Sequence, residues 1–119
     1  MGYQTILTGQ LNIDKKLSLD DYTWLVSWND ERHEETEGFP SYYCQWLPTE
    51  DGLHLKWDGN EKFYNYVEWL EYLIKEFFKP RGFILNGEIV WEGEDHSDTG
   101  KIIVTDNNVS TKKGKIVFK

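Results

Sequence analysis

The chain has 119 residues, one cysteine and a net charge of −8, which is the size of one domain able to hold a core without metals or disulfide staples. Cys44 alone excludes an intrachain disulfide, and no apolar run approaches the roughly 18 residues of a membrane span. The charge is uneven, −13 over residues 18–98 and +4 over 99–119, so the acidic body argues against direct binding to nucleic-acid phosphates.

Residues 1–11 hold Gln4, Thr5, Thr8 and Gln10 and lack the basic start and apolar run of a signal peptide, so a cytoplasmic location is expected. Polar and apolar residues alternate from Tyr3 to Ile13, with Tyr3, Thr5, Leu7, Gly9 and Leu11 on one side, which predicts a strand. Ser18, with Asp21 three residues on, predicts a capped helix over 19–29. Its apolar stripe is Leu19, Tyr22, Leu25 and Val26, while Trp24 and Trp28 share another face. Residues 29–41 form an acidic loop, and 42–47 with 53–57 read as a hairpin. Asp58 is placed to cap a second helix that runs to Lys79 and stops at Pro80 and Gly82. Phe63, Tyr66, Val67, Leu70, Leu73, Ile74, Phe77 and Phe78 make its core stripe, leaving Tyr64, Trp69 and Tyr72 outside it. Strands follow at 83–91 and 101–105, joined by the acidic turn 92–100, and Asp106, Asn107 and Asn108 make a turn before Val109. Residues 111–119 are either a frayed tail or an edge strand. The fold class is therefore α+β, a single domain over 1–119. One mostly antiparallel sheet carries two helices in the order β-α-β-β-α-β-β, with a final β if the tail pairs.

No catalytic constellation stands out. Cys44 reads as a buried, inert thiol, and His33, His54 and His96 lack the spacing of a metal site and are expected at the surface. The acids of 92–98 do not match a calcium loop. Neither a metal nor a cofactor is expected.

Six Trp, seven Tyr and six Phe are many for a two-layer domain, and aromatics outside a core are the usual anchors of protein interfaces. The candidate anchors are Trp24, Trp28, Trp69 and Tyr72. The candidate contact charges are Asp30, Glu31, Glu34, Glu35 and Glu37 in one loop, and Glu92, Glu94, Asp95 and Asp98 in the other.

The runs Tyr43-Cys44-Gln45-Trp46, Trp57-Asp58-Gly59-Asn60-Glu61-Lys62-Phe63-Tyr64-Asn65-Tyr66-Val67-Glu68-Trp69-Leu70 and Gly82-Phe83-Ile84-Leu85-Asn86-Gly87-Glu88-Ile89-Val90-Trp91-Glu92-Gly93-Glu94-Asp95 are distinctive. Over residues 43–109 the chain resembles an uncharacterised family of small acidic proteins of bacteria and their phages. That resemblance implies a bacterial host cell and an accessory role, but no established activity.

The expected function is thus a non-enzymatic binding module that engages a protein partner with a basic surface, in its sharpest form inhibiting a host nucleic-acid-binding defence complex. Neither direct nucleic-acid nor membrane binding is expected, and a homo-oligomer is compatible with the sequence. The alternative is a small-molecule binder or enzyme with a pocket between sheet and helix, lined by Trp46, Trp57, Tyr66 and Trp91.

Overall fold

A computed structural model describes residues 4–61 and 63–114. Six strands form one antiparallel sheet: β1 (Thr5–Ile13), β2 (Trp46–Pro48), β3 (His54–Trp57), β4 (Leu85–Gly93), β5 (Thr99–Thr105) and β6 (Asn108–Lys113), in the spatial order β2-β3-β1-β4-β5-β6. With α1 (Leu19–Asp30) and α2 (Tyr66–Leu73) the chain is an α+β fold. No helix among the described residues is long and apolar enough to cross a membrane.

The period-2 pattern sets the face each strand buries. Thr5, Leu7, Leu11 and Ile13 of β1 point to the core with Leu85, Ile89 and Trp91 of β4 and Ile102 and Val104 of β5. β1 and β4 pair along their whole length, from Thr5 opposite Gly93 to Ile13 opposite Leu85. Asp106 and Asn107 adopt positive φ, the turn geometry that lets β6 pair directly back on β5. The tail is therefore an edge strand as far as Lys113; residues 115–119, like Tyr3 at the start of the predicted β1, lie outside the described residues.

α1 begins where Ser18 predicts, with the Asp21 N–H donating to Ser18 Oγ at 3.1 Å. Leu25 is its one buried residue, and Leu19, expected in the stripe, is 80 % exposed. The second helix differs more. Asp58 does not cap it: its carboxylate accepts from the Asn60 N–H (2.8 Å) and from Asn29 Nδ2 (3.0 Å), closing a local turn. Asn65 is left-handed at φ 56°, so the chain enters α2 only at Tyr66. Phe63 reaches the core from this loop and meets Trp46 edge-on at 5.4 Å. Beyond Leu73 the helix widens into a π-type segment over Ile74–Phe78, and the Lys79 N–H donates to the Ile74 carbonyl at 2.8 Å. Leu70, Leu73, Ile74, Phe77 and Phe78 are buried as their spacing predicts, while Val67 is half-buried. The predicted hairpin is shorter than 42–47 and 53–57, because β2 begins only at Trp46, although the Gln45 carbonyl still accepts from the Asp58 N–H at 2.9 Å.

Two substitutions test this core. Leu70→Ala removes a fully buried side chain and should cost about 2–5 kcal/mol in urea unfolding. Gly100 lies under the Trp91 indole, and an added Cβ would sit 2.5 Å from two ring carbons and 2.6 Å from the Lys112 carbonyl oxygen. Gly100→Ala should therefore destabilise by about 1–3 kcal/mol, and an unchanged melting temperature would contradict this packing.

Candidate functional site

The loop between α1 and β2 is held by aromatic packing. Trp24 and Trp28, four residues apart on α1, stack at 5.0 Å. Trp24 continues the stack onto Phe77 at 4.6 Å, and Trp28 lies parallel to Tyr72 at 5.8 Å. His33 and Phe39 fold back onto this layer: His33 is 4.0 Å from Trp28, and both rings contact Trp69. His33 is thus buried, contrary to its expected surface position, with Nε2 3.2 Å from the Trp28 carbonyl oxygen and its backbone N–H donating to the Tyr42 carbonyl at 2.6 Å. His54 is half-buried and His96 exposed.

This layer corrects the expected anchors. Trp69 is fully buried, because the 31–41 loop covers the second face of α2. Its Nε1–H donates to Ser41 Oγ at 2.7 Å. Ser41 in turn donates toward the Tyr64 carbonyl at 3.2 Å and lies 3.4 Å from that of Tyr43. Trp28 and Tyr72 are half-buried in the layer. Burial holds the Tyr72 hydroxyl above its ordinary pKa, with Glu76 adding to the effect. Trp24 reaches the surface at 37 % exposure, with the Arg81 guanidinium 5.8 Å from its ring.

The same knot creates a different aromatic surface. Ser41, Tyr42, Tyr43, Gln45, Glu61, Tyr64 and Asn65 line a cleft of about 400 Å³ between the 41–45 and 61–65 segments. Tyr42, Tyr43 and Tyr64 are 45 %, 47 % and 49 % exposed. Gln45 Nε2 donates to the Glu61 carbonyl at 3.0 Å, and Asn65 Nδ2 donates to the Pro40 carbonyl, so both walls are fixed to each other. Sequence reasoning placed Tyr42 and Tyr43 in a strand; Tyr64 fell outside the helical stripe, which was the one signal that pointed here.

The two acidic segments separate in kind. Asp30, Glu31, Glu34 and Glu37 are exposed in the loop that leads into the cleft, and Glu34 lies 3.9 Å from Arg32. Glu35 begins the 3-10 turn Glu35–Glu37. In the 92–98 turn, by contrast, most acids do local structural work. Glu94 accepts from the Gln4 N–H at 2.7 Å, and Asp98 accepts from Trp91 Nε1 at 3.0 Å. Asp95 accepts from the Ser97 hydroxyl (2.7 Å) and N–H (2.8 Å), bonds that hold its carboxyl below the ordinary value. Glu92 is exposed at the end of β4.

Where the alternative reading expects a pocket, Tyr66 and Trp91 line a cleft of about 400 Å³ with Val67, Glu68 and Thr111, while Trp46 and Trp57 are engaged with their neighbours. Trp46 donates to the Tyr66 carbonyl at 2.8 Å, Trp57 donates to Gln45 Oε1 at 3.1 Å, and the Tyr66 and Trp91 rings stand 6.3 Å apart. Among the described residues no three His, Cys, Asp or Glu side chains gather as a metal site would require. No known protein family, curated protein or solved structure matches the chain.

Cys44 is fully buried, in the segment just before β2 rather than in mid-strand. Burial pushes its thiol from an ordinary 9.0 up to about 12, against a partly offsetting backbone hydrogen bond at Trp46. The folded protein should resist thiol reagents at pH 8 for as long as urea-unfolded chain takes to react fully; rapid native labelling would show the site open. The pH dependence has a definite sign. A thiol whose folded pKa is raised contributes stability that is complete below pH 9 and lost as pH climbs toward 12, because the unfolded chain ionises first. Unfolding midpoints should fall with pH in that window, and Cys44→Ala should flatten the fall by up to about 1.4 kcal/mol per pH unit.

Proposed function

We propose that the protein is a binding module that engages a basic protein surface through the tyrosine cleft and the acidic loop beside it. One observation carries this reading: three half-exposed tyrosines converge on one cleft whose flanking segments, 30–45 and 58–65, hold seven acids against Arg32 and Lys62. Tyrosine supplies a large contact area at low entropic cost and keeps a polar tip in water, so it anchors interfaces without making a free surface insoluble. The acids around it attract a cationic partner and speed its approach.

In this reading the partner is a protein whose basic surface ordinarily meets nucleic acid, and the module competes for that surface. A net charge of −8 suits occlusion of a limited basic patch better than imitation of a whole duplex. The resemblance of residues 43–109 to small bacterial and phage-encoded acidic proteins supports a setting in a bacterial host, with a defence complex as one concrete target. The contact charges proposed first are those of the 30–37 loop, since Asp95 is tied to Ser97, Asp98 to the Trp91 indole and Glu94 to the Gln4 N–H.

The test compares immobilised wild type with a Glu31→Lys/Glu34→Lys/Glu37→Lys variant in bacterial lysate at low and high salt. The three side chains are exposed, so the variant should melt within about 0.5 kcal/mol of wild type. Wild type should retain proteins of high isoelectric point at low salt and release them at high salt, and the variant should retain none of them. With a purified partner, the charge reversal should slow association, whereas Tyr64→Ala should mainly speed dissociation. Equal retention by both proteins, or retention that ignores salt, would overturn the electrostatic reading.

A further inference from the structure

We propose that the tyrosine cleft selects arginine over lysine, so that the partner's contact is an arginine side chain entering between Tyr43 and Tyr64. This deepens the binding-module reading and rests on it. The first argument is an arginine the molecule already holds on this surface. The Arg32 guanidinium lies 4.5 Å from the Tyr42 ring centroid, with Nε 3.9 Å from Glu34 Oε1. A cation over a tyrosine face with a carboxylate at its edge is therefore an arrangement this loop accommodates next to the cleft itself.

The second argument is the lining. Tyr43 and Tyr64 are each about half exposed, and Glu61 lines the same cleft. Nearby carbonyls are already engaged: that of Tyr64 by Ser41, that of Glu61 by Gln45 and that of Pro40 by Asn65. The acceptors lining the cleft for an entering cation include the Glu61 carboxylate, the Asn65 side-chain oxygen and the tyrosine hydroxyls. A guanidinium meets that set well. Its plane stacks on an aromatic face while its fork of N–H donors reaches a carboxylate with two parallel bonds. An ammonium is a compact and strongly hydrated charge that stacks poorly and gives up more hydration on entry. The cleft, at about 400 Å³, is large enough for a side chain and its stem.

The experiment titrates the full isotope-labelled chain, at low salt, with a blocked glycine–arginine heptapeptide and with its glycine–lysine counterpart. The arginine peptide should bind about fivefold tighter or more, and should shift the backbone signals of Ser41 to Gln45 and of Glu61, Tyr64 and Asn65. Tyr64→Ala and Glu61→Gln should each bring the two peptides' affinities together, at an unchanged melting temperature. Equal affinity of the wild type for both peptides, or arginine-induced shifts confined to other surfaces, would overturn the selectivity. Retention of basic proteins in the lysate comparison would then still stand, so the two failures are distinct.

Discussion

The Nε1–H of Trp69 and the hydroxyl of Ser41 join three segments that the chain gives no other reason to meet. Trp69 belongs to α2, Ser41 to the loop before β2, and the carbonyl that Ser41 reaches belongs to Tyr64 in the loop before α2. The bond is buried, so leaving either partner unpaired would cost about 1–3 kcal/mol. The aromatic layer around it then sets the loop. His33, Phe39, Trp28 and Tyr72 gather against Trp69 as one cluster. Because this packing fixes residues 31–41, the following residues 42–45 emerge in one direction, and the cleft has walls rather than strands of loose chain. The layer carries a cost of its own, since Trp28 Nε1 is buried without a hydrogen-bond partner among the described residues. The parallel stack of Trp28 with Trp24 and Tyr72 is what holds the ring in that orientation.

Much of the fold was legible because its signals are local or periodic. Ser18 caps α1 where its side chain predicts, the alternation in β1 and β4 matches their buried faces, and the spacing of Leu70, Leu73, Ile74 and Phe77 marks the buried side of α2. The failures share a cause. Asp58 followed by Glu61 looks like a capping pair, yet Gly59 and Asn65 both take positive φ, and the carboxylate of Asp58 serves Asn60 and Asn29 instead. No periodicity reports a left-handed residue, so the helix was extended by two turns. A helical stripe describes contact with one layer and leaves open whether Trp69 is core or surface, and here a loop covers a second face of the helix. His33 follows from the same omission. The cleft itself could not be read from the sequence, because Ser41, Gln45, Glu61 and Asn65 meet through bonds spanning 16 to 28 residues that carry no motif.

The distribution of acids acquires meaning only with the bonds in place. A count of charges treats the 30–37 loop and the 92–98 turn alike. In the structure the turn's carboxylates are acceptors for the backbone of Ser97, the indole of Trp91 and the N–H of Gln4, which is how a tight turn rich in acids stays ordered. In the loop, Glu31, Glu34 and Glu37 are exposed, and Arg32 is the one cation beside them among the described residues. The two segments therefore differ in how their carboxylates are tied rather than in exposure, since Glu92, Glu94 and Asp95 also reach the surface.

The sheet order then decides how far this charge reaches. The acidic loop leads into β2 at one edge, while Lys112 and Lys113 lie on β6 at the opposite edge. Five inter-strand spacings separate those edges, about 24 Å. The screening length at physiological salt is about 8 Å, so the basic edge does not neutralise the acidic one. Lys113 of β6 is close enough to the acidic β4–β5 turn to interact electrostatically with Asp95. The lysines of β6 also discourage strand-to-strand pairing at that edge. On the proposed reading, the acids beside the β2 edge would orient a cationic partner before contact forms, toward the end of the molecule on which Tyr42, Tyr43 and Tyr64 are exposed. Charge that selects an orientation and tyrosines that hold the arriving group would then divide the work of binding between association and dissociation.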